Sequence, residues 1–168
     1  MFMYFFLIGP AGSGKSTIGE KFNRLKLFRH IEGDKFHSKK NIKKMVVGKA
    51  LTYKDRKPWL NKINFFLRSK KNTNINYVIS CSALKKSYRS LLSKKLDNCY
   101  FFYLKCSDKE LFIRNSRRNH FFPISLLNNQ IKNFEFSRDL IIIKSTSNIN
   151  KVYLITKKKF FNLLNKKS

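Results

Sequence analysis

GPAGSGKS, residues 9–16, follows the apolar run MFMYFFLI and leads into TIGEKF, a segment with no helix breaker. Gly9, Gly14, Lys15 and Ser16 satisfy the spacing GxxxxGK(S/T). A strand, a glycine-rich turn and a helix in that order make an anion cradle. The glycines let the backbone turn with its N–H groups inward, and the first helical turn adds amides of its own. Such a cradle suits the phosphates of a nucleoside triphosphate and its Mg²⁺. Gly9, Pro10, Ala11, Gly12, Ser13, Gly14, Lys15, Ser16 and Thr17 are the expected nucleotide-binding residues. Lys15 is expected to reach the β and γ phosphates, and Ser16 to place its hydroxyl on the metal.

Outward from the loop, runs rich in β-branched and aromatic residues fall at about 2–8, 28–32, 77–82, 99–104 and 139–143. Each is nearly continuous in apolarity, as strands buried on both faces are. Between them the spacing predicts helices at about 15–26, 55–71, 84–95, 108–117, 123–134 and 149–165. In the last of these, Val152, Ile155, Phe160 and Leu163 share a face, and Lys157, Lys158 and Lys159 point elsewhere. The alternation predicts an α/β fold of the P-loop NTPase type: a five-stranded parallel sheet flanked by helices, with ligands beyond the carboxyl ends of the strands. The 168 residues suit one ordinary core, and no repeat, linker or low-complexity tract divides them, so a single domain over 1–168 is expected.

The formal charge of +28 comes from 37 Lys and Arg against 9 Asp and Glu. The lysines are spread over the whole chain among abundant Asn, Ile, Phe and Tyr, a mixture that compositional drift explains, and no specific nucleic-acid partner is expected. Cys81, Cys99 and Cys106 form no CxxC and read as buried reduced thiols. The apolar start is too short for a membrane span and runs straight into the loop, so a cytoplasmic protein without a membrane partner is expected.

Three further blocks occur in order: EGDKFHSKKNIKKMVVGKALTYKDRKPWL from residue 32, CSALKKSYRSLL from residue 81 and RRNHFFPISLLNNQ from residue 117. Together with the loop they resemble the gluconokinase family over about residues 5–135. That resemblance implies a shikimate-kinase-like P-loop fold with a lid at about 113–122, and ATP-dependent phosphorylation of D-gluconate at its 6-hydroxyl. It also implies Mg²⁺ as cofactor and a homodimer as a common assembly. The chain departs from the family in having Glu32 for an aspartate, Ser38 for a proline and GKAL for GxPL. It also lacks an apolar run ending in Asp at the third strand.

Asp34 stands at the end of the second strand, where a carboxylate either accepts the proton of an attacking hydroxyl or helps hold Mg²⁺. Asp34 and Lys15 are therefore expected to be catalytic, and Asp34 also to touch the substrate. His37 either binds a sugar hydroxyl or satisfies the loop backbone. Arg56, Lys85 and Arg89 are placed where an anionic acceptor would lie, and arginine grips a carboxylate through two parallel hydrogen bonds. Trp59, the only tryptophan, reads as a packing anchor. In the lid, Arg114 and Arg117, with Arg118 as an alternative, are expected to close over the triphosphate, Arg117 acting in catalysis. Shikimate kinase and nucleoside monophosphate kinase are the runner-up activities. A basic, ATP-regulated nucleic-acid-binding protein is the alternative of a different class.

Overall fold

The computed structural model describes residues 2–70, 74–117 and 123–166. Five parallel strands form one sheet: β1 (Tyr4–Ile8), β2 (Phe28–Glu32), β3 (Asn76–Ser80), β4 (Cys99–Lys105) and β5 (Leu140–Lys144), in the order β2-β3-β1-β4-β5. The helices are α1 (Lys15–Asn23), α2 (Lys39–Val46), α3 (Tyr53–Arg68), α4 (Lys86–Ser93), α5 (Asp108–Ser116), α6 (Ile124–Lys132) and α7 (Ile149–Asn165), with a 3₁₀ turn at Gly33–Phe36. The five expected strands are all present, and each expected helix is found, that at 149–165 with the expected ends and the others with shorter or shifted ones.

The central strand explains the layering. Successive side chains of a strand point to opposite faces. Tyr4, Phe6 and Ile8 accordingly join Trp59, Leu60, Ile63 and Leu67 of α3 on one face. Met3, Phe5 and Leu7 join Ile18 and Phe22 of α1 and Phe160 of α7 on the other. Phe160 is the hub of the second layer, stacked on Phe5 at 4.0 Å and on Phe22 at 4.4 Å between ring centroids. Burying a large apolar side chain contributes roughly 1.5–3 kcal/mol, so removing one such ring would be felt by two helices and the sheet.

Two expectations are corrected. Ile155 is 40% exposed; the inner face of α7 is Val152, Thr156 and Phe160, with the Thr156 hydroxyl returned to Val152 O at 2.8 Å. Of the three thiols, all free, only Cys81 is fully buried. The segment after the second strand, where no helix is expected, is structured. It forms the 3₁₀ turn and then α2, started by Ser38, whose hydroxyl accepts the Asn41 N–H at 3.2 Å. No described helix is long and apolar enough to cross a membrane.

Candidate active site

The residues after β1 wrap into α1 through Gly14, which caps the helix in the left-handed region at φ 95°, a conformation that favours glycine. Lys15 Nζ donates to Gly9 O at 2.9 Å and to Pro10 O at 2.8 Å. The loop forms one wall of a cavity of about 460 Å³, to which Lys15 and Ser16 contribute directly. Of the other expected loop residues, Ala11, Gly12 and Gly14 also line it, whereas Thr17 is exposed on α1 outside the lining.

Asp34 enters the same cavity from the 3₁₀ turn, and the turn is held by the buried tryptophan. Trp59, 1% exposed, donates its indole N–H to Gly33 O at 2.8 Å and stacks on His37 at 4.1 Å with 17° between the planes. Trp59 is thus the packing anchor expected, and what it anchors is the turn that presents Asp34. Asp34 keeps 71% of its side-chain surface accessible within the cavity. The enclosing walls push its pKa up and Glu32 adds to the push, while Lys15, His37 and Arg56 pull it down. Because water still reaches the carboxyl, and Lys15 and Arg56 favour its charged form, the carboxylate remains available as a proton acceptor.

His37 lines the cavity with its side chain almost fully covered, Nε2 lying 3.9 Å from Asp34 Oδ1. Burial lowers its pKa to about 4, against Asp34 and together with Arg56. The ring is therefore neutral near pH 7. Its buried Nδ1 has no hydrogen-bond partner among the described residues. An unpaired N–H is rarer in folded proteins than an under-satisfied acceptor, so the proton belongs on Nε2, toward Asp34.

Arg56 reaches the cavity from the first turn of α3. That turn is fixed by a reciprocal cap between Thr52 and Asp55. Asp55 is also paired with Lys44 of α2 at 2.7 Å, and its backbone carbonyl accepts from Asn41 at 2.9 Å. These bonds, that of Lys44 foremost, hold the Asp55 carboxyl well below the usual carboxylate range. Arg56 Nε donates to Leu51 O at 3.3 Å, and its guanidinium lies 5.7 Å from the Tyr88 ring centroid. One cation is thereby held by its stem at the cavity wall.

Other expected residues lie elsewhere. Arg89 is 3% exposed, and its guanidinium donates to the carbonyls of Ala83, Leu84 and Glu135 and to Ser137 Oγ, at 2.8–3.1 Å. It borders a separate recess of about 710 Å³ beside α4. That recess, though larger, contains no phosphate-loop residue, so the chemistry belongs to the smaller cavity. Lys85 is the N-cap of α4 and does not line the cavity. Arg114 lies behind the loop, bonded to Gly12 O, Ser145 Oγ, Glu110 and Thr146 O. Arg117 is the exposed C-cap of α5, away from the cavity lining; Arg118 and residues 119–122 of the expected lid are outside the described residues.

Glu20 also lines the cavity and was missed. Its signal was available, since it follows Ser16 by one helical turn and so shares its face. Glu20, Glu32 and Asp34 make three of the nine acidic residues of the chain. In so basic a protein, that concentration marks the cavity as something other than a general anion trap. Ile42 and Met45 of α2, Ala50, Leu51 and Ser82, and Leu126, Asn129 and Gln130 of α6 complete the lining.

Comparison with known proteins agrees with this geometry. The shikimate kinase family model matches residues 11–159. The thermosensitive gluconokinase of Escherichia coli (strain K12) is 39% identical over 132 residues, which make up 78% of this chain and 71% of that protein. A crystal structure of a sugar kinase from Janibacter is similar with a TM-score of 0.87 at 28% identity, covering 98% of this chain and 95% of that one. A gluconokinase from Sinorhizobium meliloti is similar with a TM-score of 0.77 at 31% identity, covering 95% and 97%. With a phosphate loop facing a carboxylate across one cavity, and gluconokinases as relatives over most of its length, this chain belongs to the gluconokinase family on a shikimate-kinase-like fold.

Proposed function

We propose that the cavity transfers the terminal phosphoryl group of ATP to the 6-hydroxyl of D-gluconate, giving 6-phospho-D-gluconate. The observation that carries this is the shared cavity: Lys15 and Ser16 of the phosphate loop, the Asp34 carboxylate and Arg56 all line it. Asp34 accepts the proton of the attacking hydroxyl and holds that oxygen in line with the phosphorus. Lys15 and the loop amides stabilise charge on the transferred group. Arg56 takes the sugar carboxylate, and this favours an acid over a neutral sugar. Neutral His37 donates from Nε2 toward a substrate oxygen.

The donor set suits magnesium. Ser16, Glu20, Glu32 and Asp34 offer hard oxygen atoms, and among the described residues no three His, Cys, Asp or Glu enclose a metal. This matches an ion held mostly by substrate phosphates and water. Ser16, with Glu32 and Asp34 nearby, would hold Mg²⁺, whose charge offsets that of the phosphates. A cytoplasmic location, where ATP is supplied, suits this reading.

The test is ADP production with gluconate, shikimate and nucleoside monophosphates compared side by side. The expected result is turnover with gluconate at least about 100-fold above the others in kcat/KM, as an acceptor read by paired polar groups commands. Equal or greater turnover with shikimate or a nucleotide refutes the assignment.

A further inference from the structure

The phosphate loop is held from outside by side chains that take no part in the proposed transfer. A loop aims its amides at a phosphate only when the carbonyls of the same peptide units turn away, and buried carbonyls turned away need donors. Here Asn115 Nδ2 donates to Ala11 O at 2.9 Å, Arg114 Nη1 to Gly12 O at 3.2 Å and Ser145 Oγ to Ser13 O at 2.9 Å. On the other side of Ala11, its N–H donates to Gln130 Oε1 at 2.7 Å. Ala11 is therefore gripped through both its backbone groups, by α5 at the carbonyl and by α6 at the amide.

Both amide side chains are fixed rather than opportunistic. Asn115 and Gln130 are each 8% exposed. Asn115 Nδ2 also donates to Leu111 O within its own helix at 2.8 Å. It packs so closely on Gly12, itself at φ +85°, that a Cβ there would collide with Nδ2. A backbone N–H can only donate, so the Gln130 oxygen must face the loop. Gln130 also lines the cavity, as the loop does.

We propose that Gln130 and Asn115 are positioning residues for phosphoryl transfer, two buried amides that clamp Ala11 and set the aim of the phosphate loop. This rests on the reading that residues 9–16 hold the nucleotide phosphates. A glycine-rich loop left unclamped samples many conformations, and binding must then order it, which weakens affinity. The clamp removes that disorder beforehand.

The test uses the full chain and ADP, with Gln130→Leu, which loses the acceptor, and Gln130→Glu, which keeps an oxygen at the same reach. Two readouts are needed: ADP affinity by calorimetry and hydrogen exchange of the Ala11 amide in protein without nucleotide. In Gln130→Leu, ADP Kd rises about tenfold and Ala11 exchange accelerates by about tenfold or more, the loss of one buried hydrogen bond. In Gln130→Glu the Ala11 amide stays protected, a rescue that a purely structural role for the side chain's bulk does not predict. Unchanged Kd and exchange in the leucine variant overturn the proposal. Loss of Ala11 protection in the glutamate variant overturns it independently, even if the leucine variant does not fold. Neither readout involves a phosphoryl acceptor, so a wrong sugar assignment leaves both intact.

Discussion

Acidification should destabilise this protein through His37, and the size of the effect follows from its burial. Folding lowers the pKa of His37 from 6.5 to about 4. Above about pH 6.5 the ring is neutral in both the folded and unfolded chain, and the shift has no effect on stability. Below it, the unfolded chain binds a proton that the folded chain refuses, so stability falls with pH until about pH 4, where the folded form also protonates. The full penalty is about 3 kcal/mol, and about 2 kcal/mol of it is present at about pH 5. Asp34, whose pKa is raised, works in the opposite sense, so the effect is read as a difference between proteins. His37→Phe keeps a ring on Trp59 but cannot titrate. Urea unfolding, followed by the fluorescence of the single tryptophan, should show the wild type losing about 2 kcal/mol more than the variant between about pH 7.5 and 5. Parallel losses, agreeing within about 0.5 kcal/mol, would refute the claim that this ring is buried neutral.

Arg89→Met should destabilise the fold by roughly 2–4 kcal/mol, because four bonds are lost, two of them to buried carbonyls. The KM for gluconate of the folded fraction should stay unchanged; a large rise in KM with normal stability would restore Arg89 to the substrate site. Trp59→Phe keeps a ring in the stack and removes the bond to Gly33 O. Thermal unfolding should report a loss of roughly 1–3 kcal/mol. Kinetics should report a lower kcat, since the turn bearing Asp34 loosens; wild-type kcat with lowered stability would separate the tryptophan from catalysis.

The inner strands β1 and β3 were legible because each is buried on both faces and so reads as a nearly unbroken apolar run, whereas the edge strand β2, FRHIE, is covered only in part and carries Arg29, His30 and Glu32. MFMYFFLI and YVISC need no periodicity to be recognised. Helix α2 escaped because KKNIKKMV carries four lysines and presents a single narrow apolar edge, Ile42 and Met45, to the cavity. The Ser38 cap was its one local signal. Among cavity residues, the loop and Asp34 were legible from chain order, which places them beyond strand ends, whereas Arg56 stood out from other arginines only through the block that resembles the family, and His37 had two readings of equal weight. The cations were harder. Arg56 faces the cavity while Arg89 and Arg114 serve backbone carbonyls, and all three are arginines in plausible blocks. What separates them is which carbonyls the fold leaves without donors nearby, a tertiary fact. For the same reason Asn115 and Gln130, ordinary polar residues on helices, gave no sign of their grip on Ala11.

The central claim is that the Asp34 carboxylate takes the proton from the attacking hydroxyl while the phosphate loop holds the nucleotide. Asp34→Asn, assayed for ADP production with saturating gluconate and ATP alongside calorimetric ADP binding, tests it most directly. Turnover should fall by roughly 10²–10⁴-fold, the range for a lost general base, with ADP affinity within about threefold of wild type, a change under 1 kcal/mol. An asparagine variant that keeps a tenth or more of wild-type turnover would contradict the account.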